Sequence, residues 1–354
     1  MKQQIRFCKS FDGTRIAYAT SGDGPPLVRA PHWLTHLEYE AESPLWRPWI
    51  EELSRTRTLV RMDARGCGLS DWNVRELSFP HFVNDLEAVA DASGFGRFAL
   101  FGHSQGGAIA VEYAARHPER VSHLVLLGAY ARGSAKRGLP PEFLAELEAQ
   151  LKLVEVGWGR EDAAYRTMFA TQFVPGATLE QLKSLSELQR RSASAENAVR
   201  LIRSFFAIEV TQAAARVQCP TLVFHARDDR RIPFDSGRQL AGLIPGARFV
   251  TLDTANHILI EGEPAWRRFF EELAAFLPGA RPATLAGLTA REGEIVDRIA
   301  RGLDNAQIAA ELGLSEKTVR NHITHIFDKL GVETRAQAIV RARDAGLGQG
   351  PHVS

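Results

Sequence analysis

The sequence predicts an α/β fold: a mostly parallel sheet covered by helices on both faces and carrying a helical cap, followed by a small all-α domain. Three observations point there. Short apolar runs alternate with helical patterns through about the first 280 residues, the alternation breaks over about 134–215, and the pattern changes character from residue 288 onward.

In chain order, IRFCKS, TRIAYAT, PLVRAP and TLVRMDARG read as the first four strands. A helix, FVNDLEAVADASG, follows, with Phe82, Leu86 and Val89 at helical spacing. RFALFG, HLVLLGA, TLVFHARDD and ARFVTLD are short apolar runs of the kind buried on both faces of a parallel sheet. The stretch 134–215 is helical and reads as a cap inserted between two strands. Its aromatic residues Trp158, Tyr165, Phe169, Phe173, Phe205 and Phe206 serve as cap core or as the lining of a pocket. The run LPGARPATLAG (277–287) is rich in Pro, Gly and Ala and has no apolar period. We therefore expect one domain over 1–279, a linker at 280–287, a helical domain over 288–345 and a flexible tail at 346–354.

A net charge of +1 means that any nucleic-acid surface must be local. The three cysteines, Cys8, Cys67 and Cys219, are far apart and odd in number, which suits a reduced cytosol. The opening MKQQIRFCKSFDG has no apolar core of an export signal, and no segment offers about 18 uninterrupted apolar residues. A cytoplasmic protein without a membrane segment is expected. His36, His81 and His117 stand alone without ligand spacing, so neither a metal nor a cofactor is expected.

The most informative short motif is Gly102-His103-Ser104-Gln105-Gly106, a G-x-S-x-G sequence between an apolar strand and a helix with Ala108, Ile109, Val111 and Ala114. A strand-to-helix turn of this type lifts the serine hydroxyl above the sheet, and the helix N-terminus offers backbone N–H groups to an oxyanion. Serine needs a base, and the base needs an orienting acid; on such a scaffold both come later, in the order Ser, acid, His. TLVFHARDDRRIP offers Asp228 and Asp229 just past a strand, and RFVTLDTANHILIEGEP offers His257.

These segments, with MDARGCGLSD, resemble the α/β-hydrolase superfamily over about residues 5–277. The resemblance implies Asp229 as the acid, Ser104 as nucleophile and His257 as general base and then acid. It also implies the backbone N–H groups of Gln105 and Trp33 as oxyanion donors. The family usually has His-Gly in the oxyanion loop, where this chain reads Ala30-Pro31-His32-Trp33; a bulkier loop bears on both the donor and the pocket. Gln105 departs from the metal-free haloperoxidases, and Ser104 from the haloalkane dehalogenases.

From residue 288 the chain reads LTAREGEIVDRIARGLDNAQIAAELGLSEKTVRNHITHIFDKLGVETRAQAIVRA. Thr289 and Glu292 form a capping-box pair, and the helix they open carries Ile295 and Ile299, with Glu292 expected on its solvent side. NAQIAAELG ends at Gly313, suited to a left-handed cap, and Ser315 caps a third helix. On that helix Val319, Ile323, Ile326 and Leu330 make a buried stripe; Lys317, Arg320, Asn321, Thr324 and Asp328 occupy the other side. This is a helix-turn-helix arrangement. The region is similar to the LuxR/GerE family of DNA-binding domains in LTAREGEI, QIAAELGLS, KTVRNH and DKLGV-x-TRAQA, with Gln307 where the family often has Glu. The resemblance implies Arg320, Asn321 and Thr324 at base edges in the major groove of double-stranded DNA, and Lys317, Thr318 and Lys329 on phosphates. It implies a homodimer through the last helix, where Ala336, Ile339 and Val340 share a face. With nine Lys/Arg against nine Asp/Glu in 288–354, a single copy is nearly neutral and dimerisation supplies the affinity.

The expected function is a transcriptional regulator whose hydrolase-fold domain senses a small acyl, ester or lactone compound. The residues leave open whether the pocket turns its ligand over. A serine hydrolase with an accessory DNA-binding module, and a sensor without chemistry, fit the same positions.

Overall fold

A computed structural model describes residues 3–160, 164–277, 288–345 and 347–348. The expected linker at 280–287, the tail apart from residues 347 and 348, and the Tyr165 side chain lie outside the described residues. The chain forms two compact units, each with its own apolar core.

The larger unit contains one eight-stranded sheet: β1 (Gln4–Lys9), β2 (Arg15–Ser21), β3 (Pro26–Arg29), β4 (Thr58–Met62), β5 (Phe98–His103), β6 (Val121–Leu127), β7 (Thr221–Ala226) and β8 (Arg248–Leu252). Their spatial order is β1-β2-β4-β3-β5-β6-β7-β8. β1 and β2 are antiparallel at one edge, and every pairing from β4 to β8 is parallel. All eight predicted strands are present. β5 and β7 are buried along their whole length, as apolar strands covered on both faces must be.

Helices α1 (Leu37–Glu42) and α2 (Arg47–Ser54) follow β3, and α3 (Phe79–Ala92) precedes β5. α4 (Gln105–Arg116) leaves β5 directly, and its apolar residues from Ala108 to Ala114 are buried. Between β6 and β7 come α5 (Pro141–Gly157), α6 (Ala164–Ala170), α7 (Leu179–Ser192), α8 (Ala195–Phe206) and α9 (Thr211–Ala214), the helical insertion that the broken alternation predicts. α10 (Phe234–Leu243) and α11 (Pro264–Phe276) complete the unit. Among the described residues no helix is long and apolar enough to cross a membrane.

The smaller unit is α12 (Ala290–Arg301), α13 (Asn305–Leu312), α14 (Glu316–Leu330) and α15 (Arg335–Asp344). Local chemistry sets its boundaries. Thr289, Asp304 and Thr334 each form a reciprocal capping box, Ser315 caps α14, and Gly313 ends α13 in the left-handed conformation at φ 63. In the second box Gln307 Oε1 accepts from the Asp304 backbone N–H at 2.8 Å, the service a glutamate would give. Ile295, Ile299, Val319, Ile326 and Leu330 are all buried in the core of this unit.

Ile326→Ala opens a cavity in this small core. We expect a loss of about 2–5 kcal/mol in its stability. All six tryptophans lie at or before residue 266. Urea unfolding followed by far-UV dichroism should therefore shift, while the tryptophan-fluorescence transition of the larger unit stays in place.

Candidate functional site

Ser104 sits between β5 and α4 with φ 56 and ψ −130, a conformation non-glycine residues rarely adopt. Among the described residues only Leu34 shares a positive φ without being glycine, and it follows Trp33 in the loop after β3. The two strained residues therefore flank the predicted oxyanion site. A Cβ on Gly106 would lie 2.6 Å from the Pro31 carbonyl oxygen, so glycine there lets the elbow close onto that loop. Gln105 is the first residue of α4, and its backbone N–H is one of the four that a helix leaves unpaired.

Of the two aspartates after β7, Asp228 is exposed and the Asp229 side chain is buried. Asp229 Oδ2 stands 2.6 Å from His257 Nδ1, and Oδ1 accepts from the backbone N–H groups of Arg231 (2.8 Å) and Ile232 (2.9 Å). Burial alone would raise the Asp229 pKa. The facing imidazole and the Ile232 N–H outweigh it and leave the carboxyl below its ordinary value. His257 is 1% exposed, and its Nε2 is buried with no hydrogen-bond partner among the described residues.

Three further features hold that imidazole, none of them read from the sequence. His103, inside the elbow motif, stacks on His257 at 5.0 Å and its Nε2–H donates to the His257 carbonyl oxygen at 3.0 Å. Burial, helped by His257, keeps the His103 pKa well below its ordinary value, so the ring stays neutral. The Phe173 carbonyl oxygen accepts the His257 backbone N–H at 2.8 Å. Gly128, at φ 56, leaves room for the ring: a Cβ there would stand 2.7 Å from His257 Cε1.

A cavity of about 400 Å³ opens at Ser104, Gln105 and Asp229 and is walled by Trp33 and by cap residues including Phe173, Phe205 and Phe206. Trp158 and Phe169 instead pack edge-on or tilted against the Trp33 ring and are buried. The bulk of Trp33 thus forms wall and leaves the cavity open. His32 turns away from it. Its Nδ1 bonds the Trp33 carbonyl oxygen at 3.0 Å, its ring stacks on Trp46 at 4.2 Å, and its Nε2 stands 3.0 Å from Glu40 Oε1. Glu40 also accepts from Arg61 at 2.6 Å and lies 4.0 Å from Arg29. Burial and the Arg29 charge hold His32 down at about 4. Glu40 is held at about 2, the cations outweighing its burial.

On α14, Lys317, Arg320, Asn321, Thr324 and Asp328 are exposed and Thr318 is half-buried. Thr318 Oγ1 is 2.8 Å from Ser315 Oγ at the helix start. Lys329 is engaged: its Nζ donates to both carboxylate oxygens of Glu292, at 2.8 and 2.7 Å. Glu292, expected on the solvent side, is only 4% exposed. Its spacing of three and seven from Ile295 and Ile299 puts it on their face, and Lys329 supplies the countercharge. On α15, Ala336 and Val340 are exposed, but Ile339 is half-buried against the unit's own core.

Two outcomes follow from this geometry. Gly128→Ala should displace the imidazole and abolish the low-field proton NMR signal of the His257–Asp229 hydrogen bond, as Asp229→Asn should. The second concerns acid. His32 has a folded pKa of about 4 against an ordinary 6.5, so its stability contribution is full above pH 6.5 and declines as pH falls toward 4. Buried Asp63, raised by its burial to about 7, acts in the opposite sense over the same range. The contribution is therefore read as a difference: the stability gap between wild type and His32→Gln should narrow from pH 7 to pH 5 in urea titrations.

Comparison with known proteins bears on the fold and the two domains. A family model described as the alpha/beta hydrolase fold matches residues 39–264, and one described as bacterial regulatory proteins of the luxR family matches residues 286–342. A pyrrolizixenacetamide deacetylase from Xenorhabdus hominickii is 27% identical over 251 residues, covering 70% of this chain and 90% of that protein. An esterase from Exiguobacterium antarcticum superposes with a TM-score of 0.64 at 22% identity, over 76% of this chain and 98% of its own. An enol-lactonase from Burkholderia xenovorans gives 0.59 at 23% identity, over 77% and 99%. The chain belongs to the α/β-hydrolase fold family and carries a C-terminal regulatory domain of the luxR family.

Proposed function

We propose that this protein is a DNA-binding transcriptional regulator whose hydrolase-fold domain binds a small acyl compound, an ester or lactone, and hydrolyses it. The observation that carries the reading is the buried His257. It is tied through Nδ1 to Asp229, has an unbonded Nε2, and stands beside a cavity walled by Ser104. Ser104 Oγ attacks the acyl carbonyl carbon and its proton passes to His257 Nε2. The carbonyl oxygen becomes an oxyanion facing the backbone N–H groups of Gln105 and Trp33. His257 then gives the proton to the departing alcohol oxygen as the acyl–oxygen bond breaks. A water, deprotonated by His257, attacks the acyl-serine and releases the acid, and the proton returns to Ser104. Asp229 fixes the tautomer throughout and stabilises the imidazolium. The similarity to a deacetylase supports acyl transfer as the reaction class.

In the C-terminal domain, Arg320, Asn321 and Thr324 read base edges in the major groove, with Lys317 and Thr318 on phosphates. Lys329, already neutralised by Glu292, contributes least. Ala336 and Val340 on α15 are the apolar contact of a homodimer, which offsets the neutral charge of each copy. Residues 280–287 join the two domains in sequence, and the protein works in the cytoplasm with its DNA. Ligand in the cavity changes DNA affinity, and by linkage DNA changes ligand affinity by the same factor.

An activated fluorophosphonate should label the wild-type chain and leave Ser104→Ala unlabelled; no labelling of wild type overturns the catalytic half. Arg320→Ala and Asn321→Ala should each weaken binding to the gene's own upstream region roughly 10- to 100-fold, consistent with about 1–3 kcal/mol per base contact. Unchanged footprints in both variants would sink the DNA half. Footprinting with and without candidate esters and lactones reads the coupling.

A further inference from the structure

The loop after β3 places two demands on one residue. The Trp33 indole packs against aromatic rings from three cap helices. It is edge-on to Trp158, at the end of α5, and to Phe205 of α8, both at 6.0 Å, and tilted against Phe169 of α6 at 5.9 Å. The Trp33 backbone N–H is the expected oxyanion donor, and the next residue, Leu34, stands at φ 45, which leucine rarely adopts. Any shift of the cap is felt at this side chain, so the amide needs a hold of its own.

His32 supplies that hold. Its Nδ1 lies 3.0 Å from the Trp33 carbonyl oxygen; a carbonyl only accepts, so Nδ1–H donates. The bond closes a small ring through the α-carbons of both residues, and the Trp33 amide nitrogen is one of its members. The torsions on either side of that amide are thereby fixed. The imidazole is itself confined: it is 4% exposed, stacks on Trp46 at 4.2 Å, and has Glu40 Oε1 3.0 Å from Nε2. One residue earlier, Pro31 is held close to the elbow, where a Cβ on Gly106 would meet its carbonyl oxygen at 2.6 Å.

We propose that His32 is a positioning residue for ester hydrolysis, aiming the Trp33 backbone N–H at the oxyanion through its bond to the Trp33 carbonyl. This inference rests on the serine-hydrolase reading of the cavity, and it adds the group that keeps the second oxyanion donor in place. His32 does not line the cavity, so it acts through Trp33 and not on the ligand. A backbone donor stabilises the developing charge only at hydrogen-bond distance and angle. A small rotation of the 32–33 peptide therefore costs rate and leaves ground-state binding nearly unchanged. Where the usual His-Gly loop is absent, a side chain does this work.

The test uses the full-length chain, with 4-nitrophenyl butyrate as substrate and butylboronic acid as the mimic of the tetrahedral adduct on Ser104. His32→Ala should lower kcat about tenfold or more while KM moves less than about threefold, and should weaken boronic-acid inhibition about tenfold. The low-field proton signal of the His257–Asp229 bond should persist in that variant. His32→Asn, whose amide nitrogen takes the place of Nδ1, should recover most of kcat. Where His32→Ala fails to fold by thermal melting, His32→Phe takes its place, keeping the stack on Trp46 without the donor. Three outcomes overturn the inference while wild-type turnover leaves the catalytic reading intact. They are wild-type kcat in the variant without a donor, a His32→Asn as slow as that variant, and a fall in kcat accompanied by loss of the low-field signal. A wild type that turns over no ester and takes no fluorophosphonate label removes the catalytic reading, and this inference with it.

Discussion

Holding Ser104 at a positive φ costs on the order of 1–3 kcal/mol, and the rest of the larger unit is arranged so that the cost is met. β5 must end and α4 must begin within one residue. Gly106 must be bare so that the Pro31 carbonyl can approach, and the loop after β3 absorbs its own strain at Leu34. Once these conditions hold, one hydroxyl and the first free N–H of a helix share one cavity. The parallel sheet then places the two loops carrying Asp229 and His257 at the same edge, at the ends of β7 and β8.

The fold was legible because its signals are local. Eight strands, the helical insertion and the terminal helices each announce themselves within ten or fifteen residues, through period, breaks and, at Thr289 and Ser315, caps. The Ser104, Asp229 and His257 positions were legible for a related reason, since each lies in a loop whose neighbours are themselves informative. What stayed hidden depends on partners distant in sequence. Nothing near Glu40 announces that Arg29, His32 and Arg61 will converge on it, and nothing near Gly128 announces an imidazole from residue 257. Glu292 is a different case, because its spacing from Ile295 and Ile299 already placed it on the buried face. A charged residue at a capping-box position was read as solvated, although Lys329, thirty-seven residues on, was there to neutralise it.

That pairing also bears on how the small domain meets nucleic acid. With Lys329 spent on Glu292, the exposed side of α14 presents Lys317 and Arg320 as its cations, with Asp328 further along. For the DNA contact proposed above, recognition by such a surface leans on geometry more than on bulk charge, so its affinity in salt should be governed by few phosphate contacts. The capping boxes at Thr289, Asp304 and Thr334 satisfy backbone N–H groups at the starts of α12, α13 and α15.

The buried group around Glu40 carries a consequence for how this sequence can change over time. One carboxylate faces His32, Arg29 and Arg61, and the Arg29 guanidinium has no hydrogen-bonded partner among the described residues. Removing the acid leaves two buried arginines without their carboxylate, whereas removing Arg29 leaves Glu40 paired with Arg61 at 2.6 Å. The loop that positions Trp33 hangs from the same set through His32. Drift at these positions is therefore ordered: Arg29 can be replaced by an apolar residue while Glu40 stays paired with Arg61, but a lineage that loses Glu40 first passes through uncompensated buried positive charge.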